Sequence, residues 1–183
     1  MSAGLPEPWL RREITDVPAV LAQVLYSFRQ AVEDLERFTQ DLTPDEFWLQ
    51  PYHLAPVGFH IRHIAGSVDR LLTYALGANL SEAQFQQLQS EMEAGAGGEE
   101  LRGDLRDVLD RSAQIIRNIQ PGGFEVWRAV GRKGLPATVG GLLVHIAEHT
   151  QRHVGQAIVT AKVVKGVREA ASQAHSGREG GYL

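Results

Sequence analysis

The strongest constraint on this chain is a hydrophobic repeat at alternating steps of four and three residues, which recurs in four stretches of its 183 residues. The first stretch runs through Val17, Leu21, Val24, Phe28, Ala31, Leu35, Phe38 and Leu42. That spacing draws one apolar stripe along a helix, the seam by which helices pack side by side. The second repeats it with Val57, Ile61, Ile64, Val68, Leu71 and Ala75, starting beside Pro56 and stopping at Gly77. The third uses Leu101, Leu105, Val108, Ser112, Ile115 and Ile119 and ends at Pro121-Gly122-Gly123. In the fourth, Val139, Leu142, Ile146, His153, Ala157, Ala161 and Val164 share a face, which predicts a helix from about Thr138 to the mid-160s.

The connections carry turn chemistry. Thr43-Pro44-Asp45 opens the first, and Gly95-Ala96-Gly97-Gly98 closes a second that has room for a short helix from Ser81 to about Met92. Phe124 to Pro136 contains Gly131, Gly134 and Pro136 and cannot be a long helix. No alternating pattern is long enough to build a sheet. The fold expected is all-α, a four-helix bundle with an additional short helix or loop between helices two and three. One domain over 1–183 is expected, with a core at about 17–165 and a polar tail at about 172–183 in which His175 is solvated.

Composition then narrows the chemistry. The chain has no cysteine, which removes disulfides, thiolate metal sites and cysteine nucleophiles, so any metal site must use nitrogen and oxygen ligands. A net charge of −4, from 18 basic against 22 acidic residues, offers no footprint for nucleic acid. The start Met1-Ser2-Ala3-Gly4-Leu5-Pro6-Glu7-Pro8 lacks a signal-peptide pattern, and no apolar run approaches membrane-span length, so a cytoplasmic protein with no membrane partner is expected.

Six of the seven histidines fall in two places: His53, His60 and His63 around the second helix, and His145, His149 and His153 on the fourth. A pair at i and i+4 meets on one helix surface and can share one ion. Taking 100° per residue from Ile146, His153 lies roughly 20° and His149 roughly 60° from the centre of the apolar face. A buried imidazole pair needs a polar partner, and a metal is one partner for both. His145 sits about 100° from the same centre and about 12 Å along the axis from His153, which makes it lateral to that pair. His145-Ile-Ala-Glu148-His149 also fits the H-x-x-E-H protease pattern. Against that, the chain is short and all-helical, and Glu148 has Arg152 at i+4 as an ordinary ion-pair partner.

On helix two, periodicity places His60 nearer the apolar stripe than His63, roughly 70° against 130°. Geometry alone therefore leans to His60 as a third ligand. His63 shares its stripe with Ser67 and Arg70, residues suited to the wall of a polar pocket. Arg70, Gln156 and His60 are the candidates for substrate contact, Arg70 through a carboxylate. Trp48, Tyr52 and Trp127 stand at loop edges, where aromatics cap a core.

The stretch Val57-Gly58-Phe59-His60-Ile61-Arg62-His63-Ile64-Ala65 resembles the second-helix signature of the DinB/YfiT-like proteins, an aromatic residue followed by a histidine that precedes an aliphatic one. His145-Ile-Ala-Glu-His149-Thr-Gln-Arg-His153-Val-Gly155-Gln156 is similar to that family's fourth-helix pattern, two histidines four apart and then Gly-Gln. The resemblance covers about Val17 to Val164. It implies one divalent metal held by His63, His149 and His153, against the geometric lean to His60. It also implies a homodimer. Members commonly carry a histidine just before the last ligand, where this chain has Arg152. Relatives include metal-dependent thiol transferases, a mycothiol-dependent isomerase and the helical domain of sulfoxide synthases.

Three imidazoles around a divalent ion leave a coordination position open, and the ion's charge lowers the pKa of a thiol or water there. Thiol transfer and metal-assisted hydrolysis are the two enzymatic readings, and a non-catalytic metal-binding bundle is the alternative. With no cysteine in the chain, a thiol must arrive with a low-molecular-weight cosubstrate. Nitrogen ligands suit Zn, Ni or Fe(II) alike.

Overall fold

The computed structural model of the chain describes residues 5–179, with side chains through 174. Four long helices make the body: α1 (Ala19–Thr39), α2 (Val57–Ala75), α4 (Gly98–Arg117) and α5 (Val139–Glu179), with a short α3 (Glu82–Ser90) between α2 and α4. α5 packs against α1 and α2 on one side, and α4 packs against the same two on the other, so α1 and α2 occupy opposite corners of the bundle. The link between those corners, residues 40–56, carries Phe47 into the core and lays Trp48 across the end of α2. A Cβ on Gly58 would lie 2.7 Å from the Trp48 ring, so glycine is what lets the indole close on the helix. The Trp48 N–H donates to Ala96 O at 2.9 Å, tying this link to the start of α4.

The periodic stripes form the core they predict in α1 and α2. Leu21, Val24, Phe28, Ala31 and Leu35 are buried in the first, and Val57, Ile61, Ile64, Val68 and Ala75 in the second, where Leu72 takes the buried place expected of Leu71, which is half-buried. In α4 the buried face runs through Leu101, Leu105, Leu109, Ser112 and Ile116, while Ile115 is exposed. The expected face through Val108 and Ile115 is corrected here. A straight helix turns 3.6 residues per turn, so its contact face drifts from a strict seven-residue seam.

Three further differences concern the ends and links. α5 continues to Glu179 rather than stopping in the mid-160s; Arg168-Glu169-Ala170-Ala171 are good helix formers, and no proline interrupts the chain from there to Glu179. The expected tail at 172–183 is thus helical through residue 179; the rest of it, and the side chain of His175, lie outside the described residues. The Phe124 to Pro136 connection holds an antiparallel hairpin, β1 (Trp127–Val130) and β2 (Leu135–Thr138), whose turn bends at Gly131 (φ 70°) and Gly134 (φ 57°). Pro136 hides this hairpin from an alternation test, yet a two-stranded ribbon tolerates it because both strands are edges.

No helix of the described residues is long and apolar enough to cross a membrane. The hairpin is anchored at both ends of the bundle frame. Arg128 Nε donates to Ala75 O at the end of α2 (2.9 Å), and Val139 N–H at the start of α5 donates to Val126 O (3.0 Å). Its turn is thereby held beside the contact between α2 and α5.

Candidate metal centre

α2 and α5 press together along their middles, and this contact is where the two histidine clusters meet. On α2, His60 and His63 are three apart; on α5, His149 and His153 are four apart; both spacings put neighbours on one helix surface. Ring centroids lie 4.4 Å apart for His63 and His153, 4.6 Å for His149 and His153 and 5.1 Å for His63 and His149. His63 Nε2 is 3.0 Å from His149 Nε2. His63, His149 and His153 each offer a ring nitrogen within 4.8 Å of the other two, the single such group among the described residues. Two nitrogens bound to one ion at about 2.0–2.1 Å stand at most about 4.2 Å apart. The His63 and His149 pair satisfies that bound.

The helix-two alternatives separate by burial. His60 is 4 % exposed, as its place near the apolar stripe predicts, but its Nδ1 turns to His153 Nδ1 at 3.0 Å and leaves it outside the group of three. His63, half-buried at the edge of the stripe, is the ring that joins the α5 pair. On α5 the buried stripe runs through Leu142, Ile146, Thr150 and Val154. His149 and His153 are therefore half-buried beside it, and the expected placing of His153 near its centre is corrected. The buried arc is wide because α5 serves two helices, and rings at its edge face both a partner helix and a cavity.

Behind the cluster stands a buried polar chain. The Nδ1–H of His63 donates to Glu91 Oε2 at 2.7 Å, because a carboxylate has only lone pairs to offer. That hydrogen bond fixes the tautomer and leaves the Nε2 lone pair facing His149. Glu91, 3 % exposed just past the end of α3, meets Arg70 Nη2 at 2.8 Å through its other oxygen, and Arg70 is itself 7 % exposed. Gly66 makes room for both, since a Cβ there would lie 2.6 Å from Arg70 Nη1 and 2.7 Å from Glu91 Oε1. Phe59 stacks on the His63 ring, with centroids 5.3 Å apart.

Crowding in a partly desolvated space favours the neutral form of His60, His149 and His153. Burial, then the His63 charge, pushes His60 down to about 4. Burial, then His63, His149, His60 and Arg152, pushes His153 down to about 3. Burial, then His63, His145 and Arg152, lower His149. Neutral imidazole is the form that ligates a metal.

Other sequence candidates fall elsewhere. His145 and Glu148 are exposed, with His145 Nδ1 3.0 Å from Glu148 Oε2 and Arg152 on the other Glu148 oxygen, so the H-x-x-E-H carboxylate is engaged at the surface. His53 is exposed in the Pro51–His53 turn, where Tyr52 and His53 both have positive φ. Trp48 caps the core as expected, whereas Tyr52 and Trp127 are exposed. Arg70, Gln156 and His60 do not share one cavity. Arg70 lines a space of about 300 Å³ that reaches His145 and His149. His60 and Gln156 line another of about 460 Å³ on the opposite flank, with Arg152. Sequence reasoning missed Glu91. It lies 28 residues from His63, and nothing sets it apart from the other acids.

A helical bundle with a three-histidine group at the contact of two of its helices is the class of protein that fold and site define. The chain belongs to the DinB superfamily, whose family model matches residues 15–157. That span contains all three histidines and Glu91, and it ends within α5. Comparison with curated proteins gives no match.

Proposed function

We propose that the protein binds one divalent metal ion through His63, His149 and His153 and uses it to transfer a low-molecular-weight thiol to a small-molecule substrate. The observation that carries this reading is the gathering of three imidazoles from two packed helices, with the tautomer of His63 fixed by buried Glu91. The donor set fits a Zn, Ni or Fe(II) ion, and all three ligands are nitrogens on rigid helices. An ion there would lower the pKa of a thiol brought by a cosubstrate, which the cysteine-free chain cannot supply itself.

Transfer is favoured over hydrolysis by the absence of an unengaged carboxylate beside the group among the described residues. Glu91 is taken by His63 and Arg70, and Glu148 by Arg152 and His145. A carboxylate that would take the proton of an attacking water is therefore absent among the described residues, whereas a thiol held as thiolate attacks without one. A cytoplasmic, homodimeric protein acting on a small molecule belongs to the same reading.

Elemental analysis of the purified, reconstituted protein is the first test. One ion per chain is expected, lost in His63→Ala and His153→Ala and retained in His60→Ala. Full occupancy in His63→Ala with loss in His60→Ala would reverse the ligand assignment, and no metal in any preparation would end the reading. In the Co(II)-substituted protein, added thiol should shift the visible spectrum. A spectrum blind to thiols and small anions would mark a closed site and favour the non-catalytic alternative.

A further inference from the structure

The cavity that reaches His149 has a chemical bias that the metal group does not require. Its walls are apolar along Leu71 of α2 and Phe85 and Leu88 of α3, and Arg70 and Arg132 bring guanidinium groups to it. No aspartate or glutamate lines it, although the chain as a whole is acidic at −4. Arg132 comes from the β1–β2 turn, is exposed, and rests its guanidinium 5.8 Å from the centroid of the Phe85 ring with no carboxylate partner among the described residues. Arg70 is buried, with Nη2 committed to Glu91 and Nη1 left without a hydrogen-bond partner. A cation resting on an aromatic face keeps its fork of donors free for an anion.

We infer that this cavity holds a small molecule with a carboxylate on an apolar body, the carboxylate taken by Arg132 at the turn and the opposite end set against His149. The volume of about 300 Å³ is at the lower end for small-ligand cavities, which suits a compact acid. Arg70, its charge offset by Glu91, forms part of the inner wall, while Leu71, Phe85 and Leu88 cover the body of the ligand. The inference names the substrate class for the metal-centred reading above, but binding at Arg132 does not depend on the ion.

Calorimetric titration with 3-phenylpropanoate and its neutral analogue 3-phenylpropanamide, on both zinc-loaded and metal-free protein, tests it. The acid should bind about ten-fold more tightly than the amide in both forms, as a charge-assisted hydrogen bond to arginine provides. Arg132→Gln should erase that preference, and Leu88→Trp, which fills the cavity from its α3 wall, should weaken both ligands. Both positions are exposed, so the variants should fold as the parent does, checked by their circular dichroism. Equal affinity for acid and amide, or no binding of either, overturns the inference. So does a preference that survives Arg132→Gln and vanishes on metal removal, which would put the carboxylate on the ion. Failure to take up zinc would defeat the metal reading while the metal-free titration still decides this one.

Discussion

Glu91 decides which face of His63 is offered to the cluster. Its Oε2 accepts the Nδ1–H of His63 at 2.7 Å, so the ring's orientation and tautomer are set by a residue that touches no other imidazole. Partners of this kind contribute about 10–100-fold to metal affinity. Glu91→Gln should therefore lose metal affinity within that range, read by competition against a chromophoric chelator, while Glu91→Asp should recover part of it. Unchanged affinity in Glu91→Gln would reduce the contact to packing. Gly66 is the second residue of this kind, because a methyl there would press into Arg70 Nη1 and Glu91 Oε1 at once. Gly66→Ala should cost about 1–3 kcal/mol of stability by overpacking, measured by urea unfolding, and should weaken metal binding with it.

At the scale of elements, the short helix α3 matters out of proportion to its length. It buries none of its own residues, yet Glu91 follows directly after its last turn. Its start is fixed by a reciprocal cap: Gln84 N–H donates to Ser81 Oγ at 3.3 Å and Ser81 N–H donates to Gln84 Oε1 at 2.9 Å. Gln84 Nε2 also donates to Asp69 Oδ2 at 2.6 Å, pinning α3 to α2. Ser81→Ala should remove about 1 kcal/mol of local stability. Hydrogen exchange should show it as faster exchange across α3 while α2 and α5 hold their protection. Equal exchange in the variant would mean that Asp69 and Arg70 hold α3 without the cap. The hairpin is the corresponding device on the other side, since its turn carries Arg132 over Phe85 of α3 and so closes the cavity beside His149.

For the molecule as a whole, metal and proton pull the folding equilibrium in opposite directions. A histidine with its folded pKa below its unfolded value protonates first in the unfolded chain as pH falls, so stability drops across that interval. For His60 the interval runs from the ordinary 6.5 down to about 4, and the metal-free protein should melt at progressively lower temperature through it. His149 and His153 act in the same direction. A thermal melt flat across this range would contradict the burial assigned to these rings. An ion bound only by the folded state should raise stability by about 2.7 kcal/mol at a hundred-fold excess over its Kd, seen as a metal-dependent rise in melting temperature.

Much of the frame is legible in the sequence because helix periodicity is local. α2 spans Val57–Ala75, the stretch its repeat marks, and the pairs on α2 and α5 follow from spacing alone. The absence of cysteine by itself determines that a metal site here draws on nitrogen or oxygen donors and that any thiol nucleophile would have to come from outside the chain. What spacing could not decide was which ring of helix two faces the pair on α5. His60 and His63 are both near the stripe, and the choice depends on how α2 rotates against α5, a property of two packed surfaces. Glu91 and Arg132 lay beyond local reading for the same reason. Each reaches the site through a long-range contact, Glu91 on His63 and Arg132 over Phe85 beside His149, and only the folded arrangement of α3 and the hairpin brings those partners together.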